Sequence, residues 1–333
     1  MTLVELAFPA MGTNVRLLGS PGAPLDATRA AIEDLEARLT RFDPDSELCR
    51  LNADPRPVVP ASAALRAAVG AALAGAAATD GLADPTLLGA VVRAGYARSL
   101  TGHPRADLRA ALAAAPAPAP GRPAAAADWR RVRVDDRAGT IARPPEVRID
   151  LGGSAKGLAA DLAAALLAPY GPCAADMGGD VRVHGTHDVL VAHPLSERSA
   201  RLLELTDAAV ATSGIDRRIW WDGLGRPAHH LLDPATGRPA WTGVLTATAR
   251  APSAALAEAL AKAAVLAGPE RGCELLAAAH GGVVITMAGD VLDAGDAGRG
   301  APPVDARAAD DAPRPAVAAW RRFAVRRPPG AVA

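Results

Sequence analysis

Ile149-Asp150-Leu151-Gly152-Gly153-Ser154-Ala155-Lys156-Gly157-Leu158-Ala159-Ala160 decides how this chain is read. An apolar run ends at Ile149, and an alanine- and leucine-rich segment continues to Leu167. The stretch therefore reads as a strand entering a loop and a helix leaving it. A loop of this kind presents backbone N–H groups at a helix N-terminus, where the dipole also favours negative charge. Lys156 adds a positive charge, and the glycines allow close approach to the backbone. A phosphate, above all a diphosphate across Gly152–Gly157, is the expected guest. From this stretch alone, an ordinary strand-to-helix turn fits equally well.

Two familiar phosphate loops are excluded. The Walker pattern needs Gly-Lys followed by Ser or Thr, and here the order is Lys156-Gly157. The dinucleotide fingerprint needs Gly-x-Gly-x-x-Gly, and Ser154 stands at the second glycine's place.

Composition narrows the class. At 333 residues the chain is long enough for a sizeable core, and its 36 basic and 36 acidic residues cancel. No basic field marks nucleic acid as the partner. Three cysteines, Cys49, Cys173 and Cys273, lie far apart without metal-ligand spacing, which suits a reducing compartment. The N-terminus lacks signal-peptide character and no apolar run is long enough to span a membrane, so a cytoplasmic location is expected. Of the 36 basic residues only Lys156 and Lys262 are lysine. Against a bias towards arginine, two retained lysines point to sites where a compact ammonium is wanted.

Outward from the loop, Leu3–Phe8 and the run through Leu18 read as strands around the turn at Met11-Gly12-Thr13. Ala27–Leu39 and Ala63–Ala78 have helical spacing. Phe42, in a polar segment, is either a core plug or a ring for a ligand to stack on. About 103–128 the chain is Ala/Pro-rich and low in complexity, a helix fragment plus an extended linker without chemistry. Arg131–Val134 and Glu146–Ile149 alternate like paired strands. Gly178-Gly179, in a turn between strands, offers a second close approach to the backbone. After about residue 290 the chain reads as a tail.

Two patterns carry chemistry. His229 and His230 are adjacent, so in a strand they face opposite ways and at most one serves a site. Ala254–Leu266 is a helix that is apolar apart from Glu258 and Lys262, which are four residues apart and share a face. An exposed helix carries a wider polar face than two residues. A buried helix aiming both groups at a polar cavity explains the pattern better than a solvated ion pair.

Taken in order, the motifs resemble the ApbE-type FAD:protein FMN transferase family. The matching pieces are Met11-Gly12-Thr13, Leu39–Leu48, Asp80–Thr86, Asp150–Gly157, Gly178-Gly179-Asp180, Ala211–Gly214, His230–Gly237 and the helix at Glu258. The resemblance implies an α+β, T-fold-like architecture of mixed or antiparallel sheets with packed helices. It implies one catalytic unit over 1–290, the insert included, with a tail at 291–333. It further implies binding of FAD, transfer of FMN to a Thr or Ser hydroxyl of an acceptor flavoprotein with release of AMP, a divalent ion (usually Mg²⁺), and often a homodimer. Carried across position by position, Met11, Phe42, Leu82, Ala83, Asp84, Asp150, Lys156, Gly178, Gly179 and Ser213 would line the FAD site. His230 would act in transfer beside Lys156, and Gly153 and the helix at Glu258 would hold the metal.

The sequence departs from the family at that metal. Where the family's helix has Asp and, four residues on, Thr, this chain has Glu258 and Lys262. An ammonium cannot ligate a cation. Either Lys262 takes over part of the ion's electrostatic work, paired with Glu258 and leaving a weakened or displaced Mg²⁺ site, or it swings away; the first is expected. Hydrolysis of FAD to FMN and AMP, or FAD binding without turnover, are the alternative activities.

Overall fold

The computed structural model describes residues 3–99, 106–196 and 199–296. The chain opens with a hairpin, β1 (Val4–Ala10) and β2 (Thr13–Gly19), whose two turn residues Met11 and Gly12 both have positive φ. That geometry suits the right-handed twist of paired strands. Helix α1 (Leu25–Leu39) buries Thr28, Ile32, Leu35 and Leu39 along one stripe, followed by α2 (Glu47–Ala53), a short β3 (Val58–Pro60), α3 (Ala63–Ala78) and α4 (Leu88–Arg93). The 103–128 region contains α5 (Leu108–Ala113); residues 100–105, which overlap its start, lie outside the described ones. The rest of that region is a strap, not a free linker. Ala119 N–H donates to the Trp241 carbonyl and Gly121 N–H to that of Leu266, between prolines that have no N–H to give.

Next come β4 (Arg133–Asp135) and β5 (Thr140–Ala142); β5 lies between β4 and β3 and pairs with both. The expected pairing of Arg131–Val134 with Glu146–Ile149 is therefore corrected. Residues 146–149 are irregular, and both backbone groups of Ile149 are held by the Asn52 side chain. Helix α6 (Ala155–Leu167) follows the glycine loop as expected, then β6 (Cys173–Asp176), β7 (Asp180–His184), β8 (Thr186–Ala192), β9 (Ser199–Thr206) and β10 (Ala209–Gly214). Four short strands come next: β11 (Ile219–Trp221) paired with β12 (Pro227–His229), and β13 (Leu232–Asp233) paired with β14 (Arg238–Pro239). The chain continues through β15 (Val244–Ala251), α7 (Ala254–Ala267), α8 (Pro269–Ala279), β16 (Gly281–Thr286) and β17 (Val291–Asp296).

Eight strands form one antiparallel sheet in the order β1-β2-β6-β7-β10-β15-β16-β17. This is the α+β class expected. Because β17 completes the sheet, the folded unit extends past residue 290 to at least 296, correcting the tail boundary; the rest of the expected tail, 297–333, lies outside the described residues. Side chains alternate across the sheet. Ala209 and Ala211 join the cores under the helices, whereas Val210 packs with Val181, Val183 and Leu205 beneath the β8–β9 hairpin.

Helix α7 lies at the centre of the helical layer, and glycines on three neighbours fit against it. A Cβ at Gly157 of α6 would stand 2.5 Å from the Ala254 carbonyl oxygen. One at Gly75 of α3 would stand 2.7 Å from the Ala259 Cβ, and one at Gly272 of α8 2.6 Å from the Ala264 oxygen. All are closer than carbon atoms normally approach, so the absence of a side chain sets the helix spacing.

Candidate active site

Helices α6 and α7 cap each other. Asp161 of α6 accepts from the N–H groups of Ala254 (2.8 Å) and Ala255 (3.0 Å), two donors that no turn of α7 can use. In return Glu258 of α7 accepts from the Gly157 N–H of α6 at 2.9 Å. The anion at the N-terminus of α6 is thus a carboxylate of the protein itself. The expected empty cradle at Gly152–Gly157 is corrected: Gly152 N–H donates to Asp150, Ser154 and Ala155 to the Leu151 carbonyl, and Gly157 to Glu258. Gly157 is a packing glycine, and not one that a ligand approaches.

Lys156 is likewise committed inwards. Its ammonium pairs with Asp180 and with Glu258, the latter at 2.9 Å. Burial alone would lower the Lys156 pKa, but these two carboxylates outweigh it and hold the group charged. Burial and the nearby Glu258 push Asp180 upwards, with Lys156 opposing. Burial also opposes ionisation of Glu258, yet Lys156 and the Gly157 N–H prevail and keep it below the usual carboxylate range. The expected pairing of Lys262 with Glu258 does not occur. Lys262 Nζ instead lies 3.4 Å from the Gly153 carbonyl oxygen, and among the described residues it makes no ion pair. Burial lowers its pKa, while Glu258, Asp150 and Asp84 favour its charge.

Above these groups opens a cleft of about 1420 Å³. Met11, Phe42, Leu82, Asp84, Asp150, Gly153, Lys156, Gly178, Gly179, Ser213, His230, Glu258 and Lys262 all line it. Residues far apart in sequence are thereby brought together around one cleft. Ala83 is the exception: it is buried below the surface, its N–H donating to the Thr79 hydroxyl. The Gly178 and Gly179 amides turn inwards to Asp176 Oδ1, so those glycines line the wall without offering these donors. Asp84 accepts from the Thr86 N–H and hydroxyl; burial raises its pKa in spite of them.

The two histidines part at the end of β12, of which His229 is the last residue. His229 is fully buried, edge-on to Trp241 with ring centres 4.7 Å apart. His230 faces the cleft beyond the end of β12, edge-on to Tyr96 at 6.5 Å. Burial, reinforced by Arg218, His229 and Lys262, holds the His230 pKa well below the ordinary histidine value. It is a neutral base near pH 7. Phe42 is 41% exposed and so no core plug. The Arg41 guanidinium lies over its ring (4.3 Å) and over that of Tyr96 (4.4 Å), with Asp150 3.7 Å from Arg41 Nε. Sequence reasoning missed Arg41, Tyr96, Trp220, Asp161 and Asp180 as parts of the site. Arg41 beside an isolated Phe, and the scarcity of tyrosine (two in the chain), were the available signals.

The donor set does not fit a resident Mg²⁺. Both oxygens of Glu258 are taken, the Gly153 carbonyl meets an ammonium, and no cluster of three or more His, Cys, Asp or Glu among the described residues could hold a metal.

The sequence model of the ApbE family matches residues 11–287. The FAD:protein FMN transferase of Treponema pallidum (strain Nichols) is 32% identical over 175 residues, covering 45% of this chain and 48% of that protein. The FAD:protein FMN transferase of Vibrio cholerae serotype O1 is 33% identical over 138 residues, covering 38% of this chain and 41% of that protein. The chain thus aligns with less than half the length of these relatives. The crystal structure of the ApbE protein from Thermotoga maritima is similar with a TM-score of 0.72 and 26% identity, over 88% of this chain and 97% of that one.

Proposed function

The chain belongs to the ApbE family, and from that premise we propose that it transfers the FMN moiety of FAD to a Thr or Ser hydroxyl of an acceptor flavoprotein, releasing AMP. One observation carries this: His230 stands in the same cleft as the buried lysine–carboxylate cluster and the exposed Phe42. The cleft exceeds the roughly 300–1,000 Å³ of most small-molecule sites, which suits an extended dinucleotide. In the proposed step the acceptor oxygen attacks the FMN phosphorus, the bond from that phosphorus to the oxygen of the departing AMP breaks, and His230 takes the hydroxyl proton. Phe42 and the Arg41–Tyr96 pair offer the flavin or adenine ring an aromatic and cationic wall. Lys156 serves from beneath, keeping Asp180 and Glu258 from repelling the phosphates.

The test is incubation of the full chain with FAD and a candidate acceptor. Transfer gives a covalently yellow acceptor and AMP. Free FMN with AMP would mean that water replaces the hydroxyl, and FAD bound unchanged would mean no turnover; either overturns the proposal. His230→Ala is expected to reduce transfer about 100-fold or more while FAD still binds. Undiminished transfer by that variant would remove His230 from the step.

A further inference from the structure

We infer that the Lys262 ammonium is a built-in cation for the diphosphate, seated where a divalent ion is expected in this family, so that the protein takes its dinucleotide without one. This deepens the FAD assignment above and rests on it.

The seat is made for the ammonium. A Cβ at Gly153 would overlap Lys262 Nζ, so a larger residue there would push this flexible side chain out of its present place. The Gly153 carbonyl, 3.4 Å away, is its single hydrogen-bond partner among the described residues. Two of its three N–H donors therefore remain for a ligand at the cleft wall. Lys156 makes this possible. By engaging Glu258 it frees Lys262 from the i,i+4 ion pair that their shared helix face would otherwise favour. A divalent ion added there would meet Lys262 at contact distance and find both Glu258 oxygens already engaged. An ammonium can donate to non-bridging phosphate oxygens without the dehydration that Mg²⁺ resists.

The experiment uses the full chain, Mn²⁺ as metal probe read by electron paramagnetic resonance, and FAD read by flavin fluorescence. Wild-type protein is expected to hold no stoichiometric Mn²⁺, with or without FAD, and to bind FAD equally in EDTA and in millimolar Mg²⁺. Lys262→Thr is expected to bind FAD about tenfold or more weakly in EDTA, to regain it with Mg²⁺, and to acquire a Mn²⁺ site. Lys262→Met should lose affinity without regaining it. Stoichiometric Mn²⁺ on the wild type, loss of its FAD binding in EDTA, or unchanged FAD affinity in both variants would overturn the inference. The wild-type measurements decide even if a variant fails to fold. Should FAD bind under neither condition, the FAD assignment falls, while Mn²⁺ uptake by wild type and Lys262→Thr still reads the seat.

Discussion

His229 sits against Trp241 with its Nε2 lacking a hydrogen-bond partner among the described residues, and burial pushes its pKa down to about 3, a backbone contact with Ala240 opposing. An unfolded histidine titrates near 6.5. Between those values the unfolded chain takes up a proton that the folded one refuses. Stability from the neutral imidazole is therefore complete above about pH 6.5 and declines below it by up to ~1.4 kcal/mol per unit. His230 is shifted the same way and adds to the slope. Urea midpoints followed from about pH 7 to about pH 5 should fall, and His229→Phe, which keeps the edge contact, should flatten the fall by up to one proton. An unchanged slope would contradict this. That only one of the two histidines would serve the cleft was legible in the sequence, although β12 ends at His229 and it is the turn after it that carries His230 outwards. The role of Lys156 was not. Its partners lie 24 and 102 residues away, and nothing in a linear pattern pairs a loop lysine with a carboxylate on another helix.

At the scale of elements, α6 and α7 owe their geometry to reciprocal carboxylate caps and a missing side chain. Gly157→Ala should separate the helices, loosen the Glu258 cap, and cost about 1–3 kcal/mol in chemical denaturation. Gly70→Ala provides the contrast. Nothing lies within 4 Å of its added carbon, so it should stabilise α3 by about 0.5–1 kcal/mol. Equal effects of the two would remove packing as the reason for Gly157. The helices were readable from periodicity and end signals: α7 stops at Gly268-Pro269 as expected. What glycine did in the loop was not readable, since close helix packing and phosphate approach ask for the same residue.

For the whole molecule, the order of motifs revealed the family, while sheet closure escaped notice. Asp- and Gly-rich residues 291–296 look like tail, yet β17 pairs with β16 and Ala294 is buried in the core. Ala294→Asp should cost about 3 kcal/mol or more, seen as a lowered thermal midpoint. A neutral result would return β17 to the tail. The proline strap escaped for a related reason: its contacts are to distant carbonyls, including that of Leu266 in the last turn of α7. Across the entire chain only two side chains are primary amines, and both converge on this one cluster, the first clamped between carboxylates and the second facing the cleft. Acylating or imine-forming reagents, indiscriminate on most surfaces, accordingly become address labels here, with the cleft wall as their principal side-chain destination.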